Sequence, residues 1–396
     1  MSSLRIAIIG GGPGGLTLAN ILQNNGISFT VFERDASSNE RDQGGTLDLD
    51  FEAGQAALRE ARLWDQFTEH ARPESDALKL VTLDGEVLFD ENTEPIKSMD
   101  DQDARPEIDR GKLQKILFEG LHDGSIKFGK ILTEVAAGSR RNTWDLCFRD
   151  GSVEKDFDLV VGADGAWSRV RQFLTKIEPF YSGISAAELW ALDIEQQHEW
   201  MIDYVGRGTL FSSGEGRAII IQRNGDGNVR TYACLRKPES FIEDCGIDWS
   251  SPDSARQQLV DTYYSDCGEQ LKRMILESSE QLIPRKLYML PVGTQWEPKS
   301  GVTLLGDAAH LMTPFAGNGV NAAMLDALEL ARSLISVKEG KSTSLDQAIQ
   351  SYENQMYSVS REFAEETMRN LNNNFTESGV LLLAQQLSGR MDIFGK

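Results

Sequence analysis

The chain has 396 residues, 40% of them hydrophobic, which is enough for two packed domains or for one large domain that carries an inserted second one. Its net charge of −21, from 61 acidic and 40 basic side chains, gives a surface that repels nucleic acid and anionic lipid. Because no apolar run approaches the roughly 20 residues that cross a bilayer, we expect a cytoplasmic protein that binds no nucleic acid and does not associate stably with membranes.

The first elements in chain order predict a βαβ unit. Residues 4–9 are a short apolar, β-branched run that predicts a strand, residues 16–22 have the apolar spacing of a helix, and residues 28–33 predict a second strand. Two more buried strands are predicted at residues 157–161 and 302–305, each leading into a segment with glycine and aspartate. This order favours an α/β fold with a parallel sheet.

The middle of the chain has a different character. Residues 218–222 and 229–235 predict two strands joined by a glycine- and asparagine-containing hairpin turn, so that an antiparallel sheet is inserted between parts of the parallel layer. A helix is predicted after Val320. A second helix is predicted from Ser344, which forms a capping box with Gln347, to about Leu371.

A glycine motif follows the first predicted strand and opens the first predicted helix. Gly10, Gly12 and Gly15 occupy the three positions of GxGxxG, where they permit a tight turn, a close approach to a diphosphate and close helix packing. Glu33 ends the second strand, where a carboxylate can accept hydrogen bonds from an adenosine ribose. The alternative is a glycine-rich turn in an unrelated α/β protein with a coincidental acid.

Two later motifs favour FAD over NAD. Asp164 and the pair Gly306-Asp307 follow the strands predicted at 157–161 and 302–305, and ligands of open α/β sheets bind at such carboxyl ends. Asp307 can hold a polyol hydroxyl, and the glycine-rich turn at 317–319 offers N–H groups to a flat ring. Asp307 acting only as a helix cap is the alternative, and for His310 a local hydrogen bond is the favoured interpretation.

These motifs resemble those of the class A flavoprotein monooxygenases, the group that includes para-hydroxybenzoate and salicylate hydroxylases. The resemblance rests on GGGPGG at 10–15 with Glu33-Arg34, on the Asp164-Gly165 stretch, and on GDAAHLMTPFAGNGVN at 306–321. Arg110 opens a segment similar to that family's RxxLxxxL helix. The GGTLDL stretch at 44–49 looks closest to the tetracycline-inactivating monooxygenases. Asn318 departs from the family, which usually has glutamine there.

The resemblance implies a Rossmann-like FAD-binding domain of the para-hydroxybenzoate hydroxylase type, with an inserted antiparallel-sheet substrate domain and a C-terminal bridging helix. The implied FAD-binding parts are residues 1–75, 105–177 and 285–340, the substrate domain comprises 76–104 and 178–284, and the bridging helix occupies 341–396. It further implies one tightly bound FAD and a transient visit by NADPH or NADH. The predicted cofactor-binding residues are Gly10, Gly12, Pro13, Gly14, Gly15, Glu33, Arg34, Gly45, Thr46, Leu47, Asp48, Arg110, Asp164, Gly306, Asp307, Pro314, Gly317, Asn318, Gly319, Val320 and Asn321.

The implied activity is hydroxylation of an electron-rich polycyclic, phenolic or enolic compound, with a tetracycline-like scaffold among the candidates. In that family a C4a-hydroperoxyflavin transfers the oxygen, so no side chain is assigned as catalytic. Pro314, Phe315 and Gly317 are predicted to form a wall beside the flavin, with ordinary core packing as the alternative for Phe315. Arg230 and Tyr232 point to one face of their strand and are predicted to hold the substrate oxygen.

Two other functions are compatible with the same motifs. One is a flavoprotein reductase or oxidase that inserts no oxygen, and the other is a non-catalytic flavin-binding sensor. The four cysteines (Cys147, Cys234, Cys245 and Cys267) and the four histidines show no ligand spacing, so no metal site is predicted. The chain is expected to act as a monomer on a small aromatic or polycyclic substrate with O2.

Overall fold

The computed structural model describes residues 4–38, 44–279, 282–342 and 344–394. Its strands, in chain order, are β1 (Ile6–Ile9), β2 (Phe29–Phe32), β3 (Thr46–Asp48), β4 (Leu78–Val81), β5 (Val87–Asp90), β6 (Glu107–Asp109), β7 (Ile126–Lys127), β8 (Leu132–Ala137), β9 (Trp144–Phe148), β10 (Val153–Phe157), β11 (Leu159–Gly162), β12 (Phe180–Ala191), β13 (Thr209–Gly214), β14 (Arg217–Arg223), β15 (Val229–Arg236), β16 (Ile283–Met289) and β17 (Val302–Leu304).

The α-helices of the same residues are α1 (Pro13–Asn24), α2 (Ala56–Glu60), α3 (Trp64–Thr68), α4 (Arg110–Glu119), α5 (Arg169–Leu174), α6 (Ile194–Gln197), α7 (Glu199–Val205), α8 (Phe241–Asp244), α9 (Pro252–Leu259), α10 (Glu269–Leu276), α11 (Asp307–His310), α12 (Gly319–Lys338), α13 (Leu345–Asn374) and α14 (Gly379–Phe394). Shorter π-helical and 3-10 turns lie between them, among them a π-helical turn at Phe51–Gln55 and a 3-10 turn at Pro314–Ala316. Within the described parts of the chain, no helix combines the length and apolarity that crossing a bilayer requires.

The chain divides into two compact units. Unit 1 comprises residues 1–71, 110–180 and 288–367, and unit 2 comprises residues 72–109, 181–287 and 368–396. The division falls within the long helix α13, whose residues up to Thr367 belong to unit 1. The functional domain boundaries implied by the sequence stay predictions.

Unit 1 is built on a parallel sheet with the strand order β17-β11-β1-β2-β7. All four side chains of β1 are buried, and both β1 and β11 are continuous apolar runs, as expected for strands covered on both faces. The strands predicted at 4–9, 28–33 and 302–305 are present with shorter bounds. The strand predicted at 157–161 begins instead at Leu159, because Phe157 ends the preceding strand β10.

A second, antiparallel sheet in unit 1, with the order β10-β9-β8, was not predicted. Its strands β9 and β10 are joined by a turn in which Gly151 has φ +81°. Asp150 accepts hydrogen bonds from the backbone N–H and the hydroxyl of Ser152 at 3.0 and 2.6 Å. Asp-Gly between alternating apolar residues is a hairpin signal that the sequence does contain.

Unit 2 contains a sheet with the order β16-β12-β15-β14-β13-β4-β5. The predicted hairpin is present: β14 and β15 pair antiparallel, and the N–H of Asn224 donates to the carbonyl of Asn228 at 2.9 Å. Most of the strand pairs in this sheet are antiparallel, as expected, but β4 pairs with β13 in parallel. These strands are distant in sequence, so the chain returns between them by a long connection instead of a hairpin turn.

Two helices form the described C-terminal part of the chain. The predicted second helix is α13, and the N–H of Gln347 donates to the Ser344 hydroxyl at 3.2 Å, which is one half of the predicted capping box. The segment 341–396, expected as one bridging helix, contains two helices, α13 and α14, and the second carries the apolar run Leu381-Leu382-Leu383. With the parallel sheet, the inserted sheet and the C-terminal helices, the predicted α/β fold class is confirmed.

Candidate functional site

The glycine loop between β1 and α1 has the close contacts that its glycines require. Gly10 has φ +110°, and a Cβ there would lie 2.3 Å from the Ala163 carbonyl oxygen. A Cβ on Gly15 would lie 2.2 Å from the Gly10 carbonyl oxygen, whereas one on Gly12 would meet no atom within 4 Å. Gly10 and Gly15 therefore permit packing, and Gly12 faces open space that a ligand can enter.

Glu33, the predicted acceptor for the ribose, also forms a hydrogen bond with the glycine loop. Its Oε2 accepts a hydrogen bond from the backbone N–H of Gly11 at 2.5 Å, and its Oε1 accepts one from that of Asp35 at 2.9 Å. The Glu33 side chain is buried, while the side chain of the neighbouring Arg34 is 63% exposed. Arg34 lies 4.0 Å from the Asp35 carboxylate at the surface, whereas Glu33 is held by two backbone N–H groups.

The strand order brings the three predicted motifs to one edge of the sheet. Ile9 pairs with Gly162, and Gly162 pairs with Leu304, so that β1, β11 and β17 end side by side. The glycine loop, Asp164 and Gly306-Asp307 follow these three strand ends. This edge of an open parallel sheet is where ligands bind.

Asp164 forms hydrogen bonds with residues of its own loop and with the start of the helix that follows. Its carboxylate accepts hydrogen bonds from the Ser168 hydroxyl at 2.5 Å and from the backbone N–H of Arg169 at 2.7 Å. The second bond gives an acceptor to an N–H group of the first turn of α5, which has no acceptor within the helix. Burial raises the pKa of Asp164, and these hydrogen bonds oppose that rise. The contacts of Asp164 within the structure are therefore those of a helix cap.

Asp307 is the first residue of the short helix α11. Its side chain is accessible to solvent, yet protein surrounds it closely enough that burial raises the pKa of its carboxyl, against the charges of His310, Arg110 and Arg171. Among the described residues, no side chain donates a hydrogen bond to the Asp307 carboxylate. An accessible acid of this kind is suited to hold the hydroxyl of a bound polyol.

A buried pair lies behind Asp307. His310 Nε2 and Asp326 Oδ2 are 2.6 Å apart, and the same carboxylate oxygen accepts the backbone N–H of Gly306 at 2.8 Å. The favoured interpretation of His310, a local hydrogen bond, is confirmed. Asp326 was missed, although an acid between the apolar residues Leu325 and Ala327 of a predicted helix is a visible signal.

Arg171 was also missed as part of this region. Its side chain is 1% exposed, and its Nη1 donates to the Ala308 carbonyl at 2.9 Å, which ties the segment after β11 to the segment after β17. Burial lowers the pKa of Arg171. The sequence signal was its place in the Asp164 motif, seven residues after the acid.

Three predicted segments meet around Asn321. Its side chain is fully buried, its Nδ2 donates to the Asp48 carbonyl at 3.0 Å, and its Oδ1 accepts from the N–H of Asp50 at 2.9 Å. Arg110, at the start of α4, donates its backbone N–H to the Gly45 carbonyl at 2.9 Å. The segment 45–50 thus contacts both α4 and the start of α12.

The turn before α12 presents free backbone donors. Gly317 follows the 3-10 turn in the left-handed region, with φ +71°. No described residue accepts a hydrogen bond from the backbone N–H groups of Gly319 or Val320, which belong to the first turn of a 20-residue helix. Phe315 is only 9% exposed, which leaves core packing and wall formation both open.

The remaining predicted substrate residues lie in unit 2. Tyr232 stands opposite Glu188 and Arg230 opposite Trp190 in the register of β12 and β15. The Arg230 guanidinium forms an ion pair with the buried Glu188 carboxylate and lies 4.7 and 4.8 Å from the ring centres of Trp190 and Tyr232. Glu188 and Trp190, on the neighbouring strand β12, were not predicted, because no local sequence pattern specifies which residues of two strands face each other.

The residues of unit 1 fit an FAD. The open space at Gly12 suits a diphosphate, and the buried Glu33 carboxylate suits a ribose. The accessible Asp307 carboxylate suits a ribityl chain, and the N–H groups at the start of α12 suit the edge of a flavin ring. Within the described residues, no three His, Cys, Asp or Glu side chains gather as metal ligands.

Comparison with known proteins points in the same direction. A model of the family described as "FAD binding domain" matches residues 3–367. The monooxygenase asqM of Emericella nidulans is 31% identical, over 97% of this chain and 98% of its own length.

Solved structures show the same fold. HpxO of Klebsiella pneumoniae, solved with FAD and uric acid, superposes with a TM-score of 0.77 at 20% identity, over 98% of this chain and 93% of HpxO. Tetracycline destructase Tet(51) superposes with a TM-score of 0.67 at 19% identity, over 99% of this chain and 95% of its own.

Proposed function

Because this chain belongs to the FAD binding domain family and is an FAD-dependent monooxygenase, we propose that it takes electrons from NADPH or NADH and, with O2, hydroxylates an electron-rich polycyclic, phenolic or enolic compound. The observation that carries the proposal is the convergence of the glycine loop, Asp164 and Asp307 at the ends of three adjacent parallel strands.

Bound FAD supplies the reduction and the oxygen chemistry, and the chain supplies binding and orientation. The N–H groups after Gly12 and the dipole of α1 bind the diphosphate, and Glu33 accepts hydrogen bonds from the adenosine ribose. Asp307 accepts one from the ribityl chain. The N–H groups of Gly319 and Val320 donate to the ring edge, and Pro314 and Phe315 exclude water from it.

The substrate class follows from the side chains of β12 and β15. Arg230 and Tyr232 share the sheet face with Trp190, opposite the face whose Val229, Ala233 and Leu235 enter the core of unit 2. Two aromatic rings and a fixed guanidinium suit a planar ring with an oxygen substituent. Support comes from two proteins of the same fold, since HpxO was solved with uric acid and Tet(51) is a tetracycline destructase, and a tetracycline-like scaffold is one candidate.

The test supplies the purified protein with FAD, NADPH or NADH, and ¹⁸O2, together with a panel of tetracyclines, anthraquinones, salicylates and uric acid. We expect one compound to accelerate NAD(P)H consumption and to gain a single ¹⁸O atom, measured by mass spectrometry. Accelerated consumption with a desaturated or reduced product and no ¹⁸O would contradict the proposal.

Arg230→Ala then tests the substrate wall. We expect it to raise KM for that compound about tenfold or more, the effect of losing a charged hydrogen bond of about 1.5–3 kcal/mol. Arg223→Ala, at the end of the adjacent strand β14, is the control. Equal KM values for the two variants would remove Arg230 from the substrate site.

We further propose that the enzyme is a cytoplasmic monomer. Support comes from its four free cysteines, which suit a reducing compartment, and from a net charge of −21, which disfavours self-association. Light scattering should give a mass near 44.0 kDa. A mass of twice that value would contradict the monomer.

A further inference from the structure

Asn318, where this chain departs from the glutamine of the family that it resembles, has a partner on another helix. Its Nδ2 donates a hydrogen bond to Oε2 of Glu366 on α13 at 3.0 Å, and both residues belong to unit 1. Glu366 is half-buried. The bond therefore connects the turn before α12 to a residue of α13 that lies 48 positions further along the chain.

The Asn318 side chain is not used to cap the helix that follows it. Asn318 has helical backbone angles, φ −83° and ψ −7°, and its side chain does not cap α12. An asparagine at this place commonly bonds the N–H groups of the first helical turn. Here the side chain is directed to Glu366 instead, so those N–H groups stay available to a ligand.

Glu366 also acts on the other segment of this region. Burial, and next the charge of Glu366, raise the pKa of Asp50. The backbone N–H of Asp50 is in turn bonded to the side chain of Asn321, three residues after Asn318. Glu366 thus lies close to both the 45–50 segment and the turn that starts α12.

We propose that Glu366 is a positioning residue of the flavin site, which holds the turn Gly317–Gly319 through Asn318 so that the N–H groups of Gly319 and Val320 face the ring of FAD. The inference rests on the FAD-binding part of the proposed function and not on the identity of the substrate. Glu366 itself touches neither reacting atoms nor the ring in this proposal.

The experiment measures the Kd of FAD, by quenching of flavin fluorescence, and the visible spectrum of the bound flavin. We expect Glu366→Ala to weaken FAD binding about fivefold, the ratio that corresponds to one hydrogen bond of about 1 kcal/mol, and to shift the flavin absorption band. Glu366→Gln keeps an accepting oxygen and should stay within about twofold of the wild type. Glu365→Ala, an exposed acid on the same helix, is the matched control.

Asn318→Ala removes the same bond from the other side and keeps the test valid if Glu366→Ala folds poorly. The double variant should lose no more affinity than either single variant, because all three lack the one bond. A wild-type Kd and spectrum in both alanine variants would overturn the inference, as would a lowered melting temperature with an unchanged bound-flavin spectrum. Failure of the wild-type protein to bind FAD would instead overturn the proposed function and this inference with it.

Discussion

His310 is the residue whose protonation the structure ties most directly to folding. Burial acts to lower its pKa, but the charge and hydrogen bond of Asp326, with the charge of Asp307, outweigh burial and leave the pKa raised. A group with a raised pKa in the folded state stabilises the fold when it is protonated. The contribution is fully present below about pH 6.5, the ordinary pKa of histidine, and is lost as the pH rises through the folded pKa.

His310→Gln should therefore destabilise the protein in a pH-dependent way. We expect the gap in urea midpoint between wild type and variant to be large at pH 6 and to shrink toward pH 9, because only the protonated imidazole forms an ion pair with Asp326. His122→Gln, at an exposed position, is the control and should show no such trend. A gap that is the same at every pH would mean that His310 contributes by packing alone.

Among individual residues, the sequence predicted motif members and missed their partners. Asp307, Glu33 and the glycines could be predicted as cofactor-binding because their spacing is fixed by local backbone geometry. Asp326 and Glu366 were not, because each contacts its partner through the packing of one helix against a distant turn. Such partners depend on tertiary structure, which periodicity does not encode.

At the scale of elements, different glycines of the glycine loop are needed for folding and for FAD binding. Gly12 has a negative φ of −77° and open space at its Cβ position, whereas a Cβ on Gly15 would overlap the Gly10 carbonyl. We expect Gly12→Ala to leave the melting temperature of the FAD-free protein unchanged but to weaken FAD binding at least tenfold, because the methyl group fills the approach to the diphosphate. Gly15→Ala should lower the melting temperature even without FAD.

Gly111→Ala provides the control for a glycine that faces open space away from the loop. It should leave FAD binding unchanged and should not destabilise α4, since alanine is the better helix former. Calorimetry of the FAD-free proteins and FAD titration decide the outcome. Wild-type FAD affinity in Gly12→Ala would place the diphosphate elsewhere.

Elements with local signals were predicted and elements defined by distant pairing were not. Four of the five strands of the parallel sheet, β1, β2, β11 and β17, were predicted from their own apolar runs, and the β14–β15 hairpin was predicted from the turn residues between two such runs. The parallel pairing of β4 with β13 joins residues more than a hundred positions apart, and no local pattern specifies it.

At the scale of the whole molecule, the predicted ligand residues separate by unit. Every predicted cofactor-binding residue belongs to unit 1, while Arg230 and Tyr232 belong to unit 2. A ligand that binds only the folded state stabilises it by RT ln(1 + [L]/Kd), about 2.7 kcal/mol at a hundred times Kd. That stabilisation slows the exchange of amide hydrogens in the segments that unfold together with the binding site.

Hydrogen exchange should therefore respond to the two ligands in different segments. We expect FAD to slow amide exchange in α1, in the turn at 317–319 and in the strands β1, β11 and β17 of unit 1. A substrate identified from the panel should, when added to the FAD-loaded protein, slow exchange in β12 and β15 of unit 2. The Gly12→Ala variant at the same FAD concentration is the control and should show less protection, because a tenfold larger Kd lowers the stabilisation at a hundred times the wild-type Kd from about 2.7 to about 1.4 kcal/mol. Protection by FAD confined to unit 2 would contradict the assignment of the cofactor site, whereas substrate protection confined to unit 1 would contradict only the role of Arg230 and Tyr232.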